Sequence, residues 1–147
     1  MNSEFTVAVH GLVLLAQRPD RMATSDMIAC SVNTHSARVR RVMGWLKKSG
    51  MISTKEGIGG GYVLMGDPEE ITLAHVYRIL AMGSVVPSWK SGGADPDCMV
   101  ATHMEDVMSE VFRDTEMQMM KHLDRVTIAD LLDQVRKAAD GSKKRPK

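Results

Sequence analysis

Apolar positions between residues 4 and 50 recur every three or four residues, which is the period of a helix with one buried face. They predict a first helix over 4–17, a short helix capped by Thr24 or Ser25, and a longer helix that ends at Gly50. Residues 31–33 form a turn before the longer helix. The segment therefore predicts a helix, a short helix, a turn and a helix.

Two short extended runs follow, Met51–Lys55 and Tyr62–Met65, with three consecutive glycines between them. This pattern predicts a β-hairpin whose tip contains Gly59, Gly60 and Gly61. A phosphate-binding loop needs Lys and Ser or Thr directly after its glycines and a helix after those, whereas here a strand follows. The glycines are therefore interpreted as a hairpin tip, and the order of elements is that of a winged helix-turn-helix.

Beyond the hairpin, Thr72 caps a predicted helix, and the next segment is rich in Gly, Pro, Ser and Asp, which predicts a loop. A long helix from Met99 to His122 and a last helix from Thr127 follow, and the basic end GSKKRPK is expected to be disordered. The predicted fold class is mainly α with a small β-hairpin wing (α+β). The predicted units are the winged helix-turn-helix at 1–82, a linker loop at 83–98, dimerisation helices at 99–139 and a basic tail at 140–147.

Charge is distributed unevenly although the formal net charge is only +1. Residues 1–55 carry eight Lys or Arg and three Asp or Glu (+5), residues 56–135 carry five and fourteen (−9), and residues 136–147 carry six and one (+5). A basic first segment indicates a polyanionic partner. The alternative is a scatter of solvated charge without a partner.

The third predicted helix, capped by Asn33 or Thr34, contains basic residues and no acid, and its apolar side faces the core. Its outward face is expected to contact double-stranded DNA, with Arg reading guanine and the hydroxyl and basic side chains holding phosphates. The candidate contacts are Ser25, Thr34, His35, Ser36, Arg38, Arg40 and Arg41 in the helix-turn-helix, and Lys55, Gly59, Gly60, Gly61 and Tyr62 in the wing. The alternatives are a solvated basic face, an ordinary hairpin turn, or a winged helix that binds protein.

Three motifs in residues 46–74 resemble the Rrf2 family of bacterial transcription regulators. They are LKKSGMI at the helix end, GIGGGYVL in the wing and EITL at the next helix start. The segment VTIADLL extends the resemblance to about residue 135. The resemblance implies a repressor that binds a pseudo-palindromic operator as a homodimer, with the long helix as the dimer element. That helix has its own apolar stripe, comprising Val100, His103, Met104, Val107, Met108, Val111, Phe112 and Met119.

Many members of the family hold an iron–sulfur cluster through three cysteines in the loop before the dimer helix. Here the loop contains only Cys98, with His103 five residues later, so the usual four-ligand set is incomplete. Ligands drawn from two subunits, or a mononuclear metal at these two residues, remain weaker alternatives. We therefore expect no cofactor and no metal site, and a cluster-dependent regulator is the alternative.

Cys30 precedes the third helix and Cys98 lies in the loop, which in the Rrf2 arrangement reaches toward the partner's DNA-binding part. The resemblance thus leads to the hypothesis of a redox switch through an intersubunit Cys30–Cys98 disulfide. The alternatives are a buried small residue at Cys30 and an incidental loop residue at Cys98. A small-molecule effector near Trp89, Met99 and His103 is a further alternative signal.

Catalytic and membrane functions are not expected. The five histidines are scattered, and neither cysteine has a recognisable catalytic partner, so no catalytic residue is assigned. No apolar run approaches the roughly 20 residues of a membrane span. The N-terminal stretch carries Glu4 where a signal peptide would be basic, so we expect a cytoplasmic protein.

Overall fold

The computed structural model describes residues 2–143, which form six helices and one small antiparallel sheet. The elements in chain order are α1 (Ser3–Gln17), β1 (Met22–Ala23), α2 (Ser25–Val32), α3 (Ser36–Lys48), β2 (Ile52–Lys55), β3 (Gly61–Leu64), α4 (Leu73–Leu80), α5 (Met99–Leu123) and α6 (Ile128–Lys143). The fold class predicted from the sequence, mainly α with a small β wing, is confirmed.

The start of α3 differs from the prediction. Its N-cap is His35, which makes no side-chain cap hydrogen bond, rather than Asn33 or Thr34. Asn33 adopts the left-handed conformation (φ 63°) and closes α2, and the N–H of Thr34 donates to the Ala29 carbonyl at 3.0 Å. Both residues therefore end α2 instead of starting α3. The predicted caps at Thr24 and Thr72 are observed, since each hydroxyl accepts a backbone N–H three residues on.

The sheet contains a third strand that the sequence did not indicate. Strand β1 pairs with β3, so the order is β1-β3-β2, with Ala23 opposite Tyr62. Two residues are too short for a visible alternation of apolar and polar positions. The wing is thus anchored to the segment that leads into α2.

The glycine triplet is explained by the wing's own backbone. Gly59 has a positive φ of 76°, and a Cβ on Gly60 would lie 2.0 Å from the Lys55 carbonyl oxygen. A Cβ on Gly61, whose φ is 151°, would lie 2.6 Å from the Ala23 carbonyl oxygen of β1. No other residue fits these three positions without strain or displacement of the backbone.

A single core joins α1 to the other helices of the winged domain. Its fully buried members include Leu12 and Leu15 of α1, and α3 contributes its predicted apolar face, Val39, Val42, Met43 and Leu46. Each such side chain contributes roughly 1.5–3 kcal/mol by leaving water. Burial on this side fixes which residues of α3 face outward.

The predicted loop at 83–98 lacks regular secondary structure, and a carboxylate of α5 holds its start. Glu116 Oε1 accepts hydrogen bonds from the Tyr77 hydroxyl and the Gly83 N–H, both at 2.7 Å. Burial raises the pKa of Tyr77 above its usual value. At its other end, Cys98 is the N-cap of α5, and its Sγ accepts the Ala101 N–H at 3.4 Å.

Helix α6 extends further than predicted. It continues through Gly141 and Ser142 to Lys143, so the expected disorder is wrong for these three residues, while the remaining tail lies outside the described part. A reciprocal cap starts the helix, since the Thr127 N–H donates to Asp130 and the Asp130 N–H donates to the Thr127 hydroxyl. Hydrogen bonds that its carboxylate accepts from Thr127, first from the backbone N–H and then from the side chain, hold the pKa of Asp130 below its usual value.

Candidate nucleic-acid interface

The recognition surface comprises the outward side of α3 and the adjoining wing. Because one side of α3 is buried in the core, its polar and small residues face solvent. They are Ala37, Arg40, Arg41, Gly44 and Lys48. Lys47 Nζ donates to Thr54 Oγ1 of β2 at 2.9 Å, which ties the helix to the wing. The outward side of α3 and the wing are therefore adjacent.

Arg40 lies on the wing side of α3 and makes no ion pair with any residue in 2–143. Burial raises the pKa of Tyr62 on β3, and the positive charge of Arg40 opposes this rise. The interaction shows that the guanidinium lies near the wing strand. An exposed and unpaired guanidinium in this position is free to bind a phosphate or a guanine edge.

Arg38 and Arg41 lie on the opposite edge of α3 and are held by one acid of α1. Glu4 accepts from Arg38 Nε at 3.3 Å and from Arg41 Nη2 at 2.7 Å, and Arg38 also donates to Ser3 Oγ. The Glu4 side chain is only 18% exposed. Arg41 also lies 5.8 Å over the ring of Trp45. Two of the predicted DNA contacts therefore already have an acidic partner.

The other predicted contacts of the helix-turn-helix are partly engaged within the fold. Ser36 Oγ donates to Asp26 Oδ1 of α2, and Ser25 and Thr34 are half-buried. His35 is exposed at the N-terminus of α3. Of this group, the structure leaves His35 the most accessible to a ligand.

The wing tip combines one cation with an exposed apolar residue. Lys55 at the end of β2 is exposed and unpaired within residues 2–143, and Ile58 is fully exposed. The Gly60 N–H donates to the Gly57 carbonyl at 3.1 Å, so this amide is not available to a phosphate. The tip can still approach a nucleic-acid groove through Lys55 and Gly59.

Both cysteines are free thiols, with Cys30 exposed and Cys98 half-buried. The described residues bring no three His, Cys, Asp or Glu side chains together as a metal-ligand group. The donor set of one chain therefore does not fit an iron–sulfur cluster, which needs four ligands. Trp89 and Met99 of the expected effector region are 78% and 76% exposed. A cavity of about 760 Å³ lies elsewhere, between α1 and α6.

Residues 1–134 match the model of the Rrf2 family, which is described as iron-dependent transcriptional regulators. The chain belongs to the Rrf2 family. A Bacillus subtilis (strain 168) relative, assigned as the HTH-type transcriptional regulator YwnA, is 29% identical over 133 residues, covering 90% of this chain and 97% of its own length. The family and this relative are described as transcriptional regulators, in agreement with the DNA-binding function expected from the sequence.

Solved structures show the same fold. A Lactobacillus plantarum protein assigned as a transcriptional regulator superposes with a TM-score of 0.80 at 22% identity, over 92% of this chain and 91% of its own. The oxidised form of Staphylococcus aureus CymR superposes with a TM-score of 0.66 at 19% identity, over 89% and 94%. Across residues 2–143, every helix is too short or too polar to traverse a lipid bilayer.

Sequence reasoning missed Glu4 as part of this surface. Glu4 is 34 residues from Arg38 and 37 from Arg41, and it lies on a different helix. No local pattern links the three residues. The available signal was a lone acid in the first turn of a helix within a basic segment, which is also an ordinary helix-start residue.

Proposed function

We propose that the chain is a transcriptional repressor that binds a pseudo-palindromic operator as a homodimer. The observation that carries this proposal is the outward face of α3, where Arg40 is unpaired beside the wing and Lys48 is unpaired in the last turn, both within residues 2–143. A helix of this kind inserts into the major groove, and cations on it replace counterions of the phosphate backbone.

Helix α5 supports dimerisation. Its exposed apolar residues Val100, Met104, Val107 and Val111 follow one another at intervals of four, three and four, which is the spacing of a helix-pairing seam. Only Leu123 of α5 is buried. The first half of α5 therefore presents an apolar face that a second copy of the same helix would cover.

The two-fold symmetry of the proposed dimer predicts the spacing of the operator half-sites. Two recognition helices related by a two-fold axis fit half-sites about one helical turn apart, roughly 34 Å. Repression follows if the bound dimer excludes other proteins from the same DNA. We therefore propose repression rather than activation.

The test is selection of duplexes from a random pool by the purified chain. We expect enrichment of an inverted repeat, and an affinity for the enriched duplex that falls steeply with salt. A protein-docking winged helix would enrich no sequence and bind duplexes weakly at every salt concentration. That outcome would overturn the proposal.

We also propose a thiol switch between Cys30 and Cys98 of the partner subunit. A peroxide would oxidise one thiol to a sulfenic acid, and attack by the second thiol would form the disulfide and release water. Exposure of Cys30 and partial exposure of Cys98 support access by an oxidant. The bond would pull the start of α5 toward α2 of the other subunit and change the spacing of the recognition helices.

A non-reducing gel of the chain before and after hydrogen peroxide tests the switch. We expect a covalent dimer that Cys30→Ser and Cys98→Ser each abolish, with altered operator affinity in the oxidised protein. A covalent dimer that survives in either variant contradicts the pairing. Absence of any covalent dimer removes the redox hypothesis and leaves the DNA-binding proposal intact.

A further inference from the structure

A groove of about 760 Å³ separates α1 from the second half of α6. Its size falls within the range of about 300–1,000 Å³ that is typical of small-molecule sites. The walls are mainly apolar, with Phe5, Val9, Val13, Leu131, Val135 and Ala138 among the lining residues.

The groove exists because the side chains on this side of α6 become smaller toward its C-terminal end. Leu132 is buried against the core, Val135 is 56% exposed, and Ala138 and Ala139 continue the same wall with small side chains. Two alanines leave space where larger residues would close the gap against α1. The family match ends at residue 134, so the later part of this wall, from Val135 onward, lies beyond the matched segment.

Polar side chains also line the groove: Thr6, His10, Gln17, Ser31, Gln134 and Arg136. His10 Nε2 and Ser31 Oγ form a hydrogen bond of 2.8 Å that links α1 to the last turn of α2. Among the described residues that line the groove, Arg136 is the one Lys, Arg, Asp or Glu, and its guanidinium is 3.8 Å from Asp133. An apolar body with a single anionic head matches these walls and this guanidinium.

We propose that the groove binds a small amphipathic carboxylate. Its alkyl or aromatic body lies between α1 and α6, and its head lies at Arg136. The ligand enters beside Ser31, two residues before the left-handed Asn33 that orients α3. Binding therefore displaces the end of α2 and changes operator affinity, a consequence that rests on the proposed function.

Binding is tested by calorimetry with decanoate below its micellar concentration, and with 1-decanol as the uncharged probe. We expect one saturable decanoate site per chain. Val135→Trp fills the groove and should abolish binding, whereas Lys137→Trp adds the same side chain to an exposed position of α6 outside the groove and should not. Arg136→Gln should weaken decanoate about tenfold and leave decanol unchanged.

Three outcomes would overturn the proposal. One is a lack of saturable decanoate binding. Another is equal binding to the Val135→Trp and Lys137→Trp variants. The third is a change of oligomeric state in Val135→Trp with binding retained, which would make the groove a subunit contact. The calorimetry contains no DNA, so a failure of the DNA-binding proposal is separately visible in the duplex selection.

Discussion

The winged domain and the first half of α5 differ in whether their apolar side chains are buried. In residues 2–82, apolar side chains such as Leu12 and Leu46 are fully buried, and cations are left on the outside. In the first half of α5, Val100 and Val107 are 60% and 55% exposed. The first region buries its apolar side chains within one chain and is proposed to offer its charge to DNA, whereas the second has no apolar cover among residues 2–143. Under the proposed function, the winged domain therefore contacts DNA and the first half of α5 holds the dimer together.

The largest effect is expected from charge in the α5 seam. Val107→Glu with Val111→Glu would bury two carboxylates from each chain, four in the helix pair, so dimer affinity should fall by at least about a hundredfold. Sedimentation velocity measures the shift to monomer, and operator affinity should fall with it. Arg113→Glu changes charge on another side of α5 and is the control. A dimer that persists in the double variant would show that the first half of α5 is not the dimer contact.

Loss of the unpaired guanidinium on α3 should come next. Arg40→Ala is expected to weaken operator binding by about 1–3 kcal/mol and to lower the salt slope by about one per chain. Fluorescence anisotropy across a salt series measures both quantities. Arg78→Ala removes an exposed cation of α4 and should change neither. Equal effects of the two variants would show that only overall charge matters.

Releasing the two paired arginines from their acid should have the opposite effect on DNA affinity. Glu4→Gln removes the acid that holds Arg38 and Arg41, so DNA affinity should rise and the salt slope should steepen. Stability should change by less than about 1 kcal/mol, because the partners are partly exposed. The same anisotropy series and a thermal melt measure these effects. A fall in operator affinity would instead mean that Glu4 positions the arginines for binding.

The smallest effect is expected at a helical glycine. Gly44 on the outward face of α3 has open space where a Cβ would stand, as has Gly141 on α6, so the fold requires neither. Alanine at either position should stabilise the protein by up to about 1 kcal/mol. Only Gly44→Ala should also reduce DNA affinity, by inserting a methyl group between α3 and the groove. Unchanged affinity in Gly44→Ala would place DNA further from this helix turn.

Periodicity predicted the helices of the winged domain because each has one buried face, and α3 shows this most clearly with Val39 and Val42. Features that depend on distant residues were not predictable. Strand β1 exists only because Ala23 pairs with Tyr62, and Glu4 meets Arg41 only after α1 packs across α3. The glycine triplet was correctly interpreted as a hairpin tip, but its cause, backbone contact with Lys55 and Ala23, needed the structure.

The surface formed by α3 and the wing is proposed to bind duplex DNA. The first quantity to measure is the affinity of the wild type and Arg40→Ala for one labelled duplex between about 50 and 200 mM salt, concentrations over which contacts to several phosphates lose roughly a thousandfold in affinity. We expect steep salt dependence in the wild type and a shallower slope in the variant. Equal slopes for the two proteins, or no binding at the lowest salt, would rule out DNA binding through Arg40 on this surface.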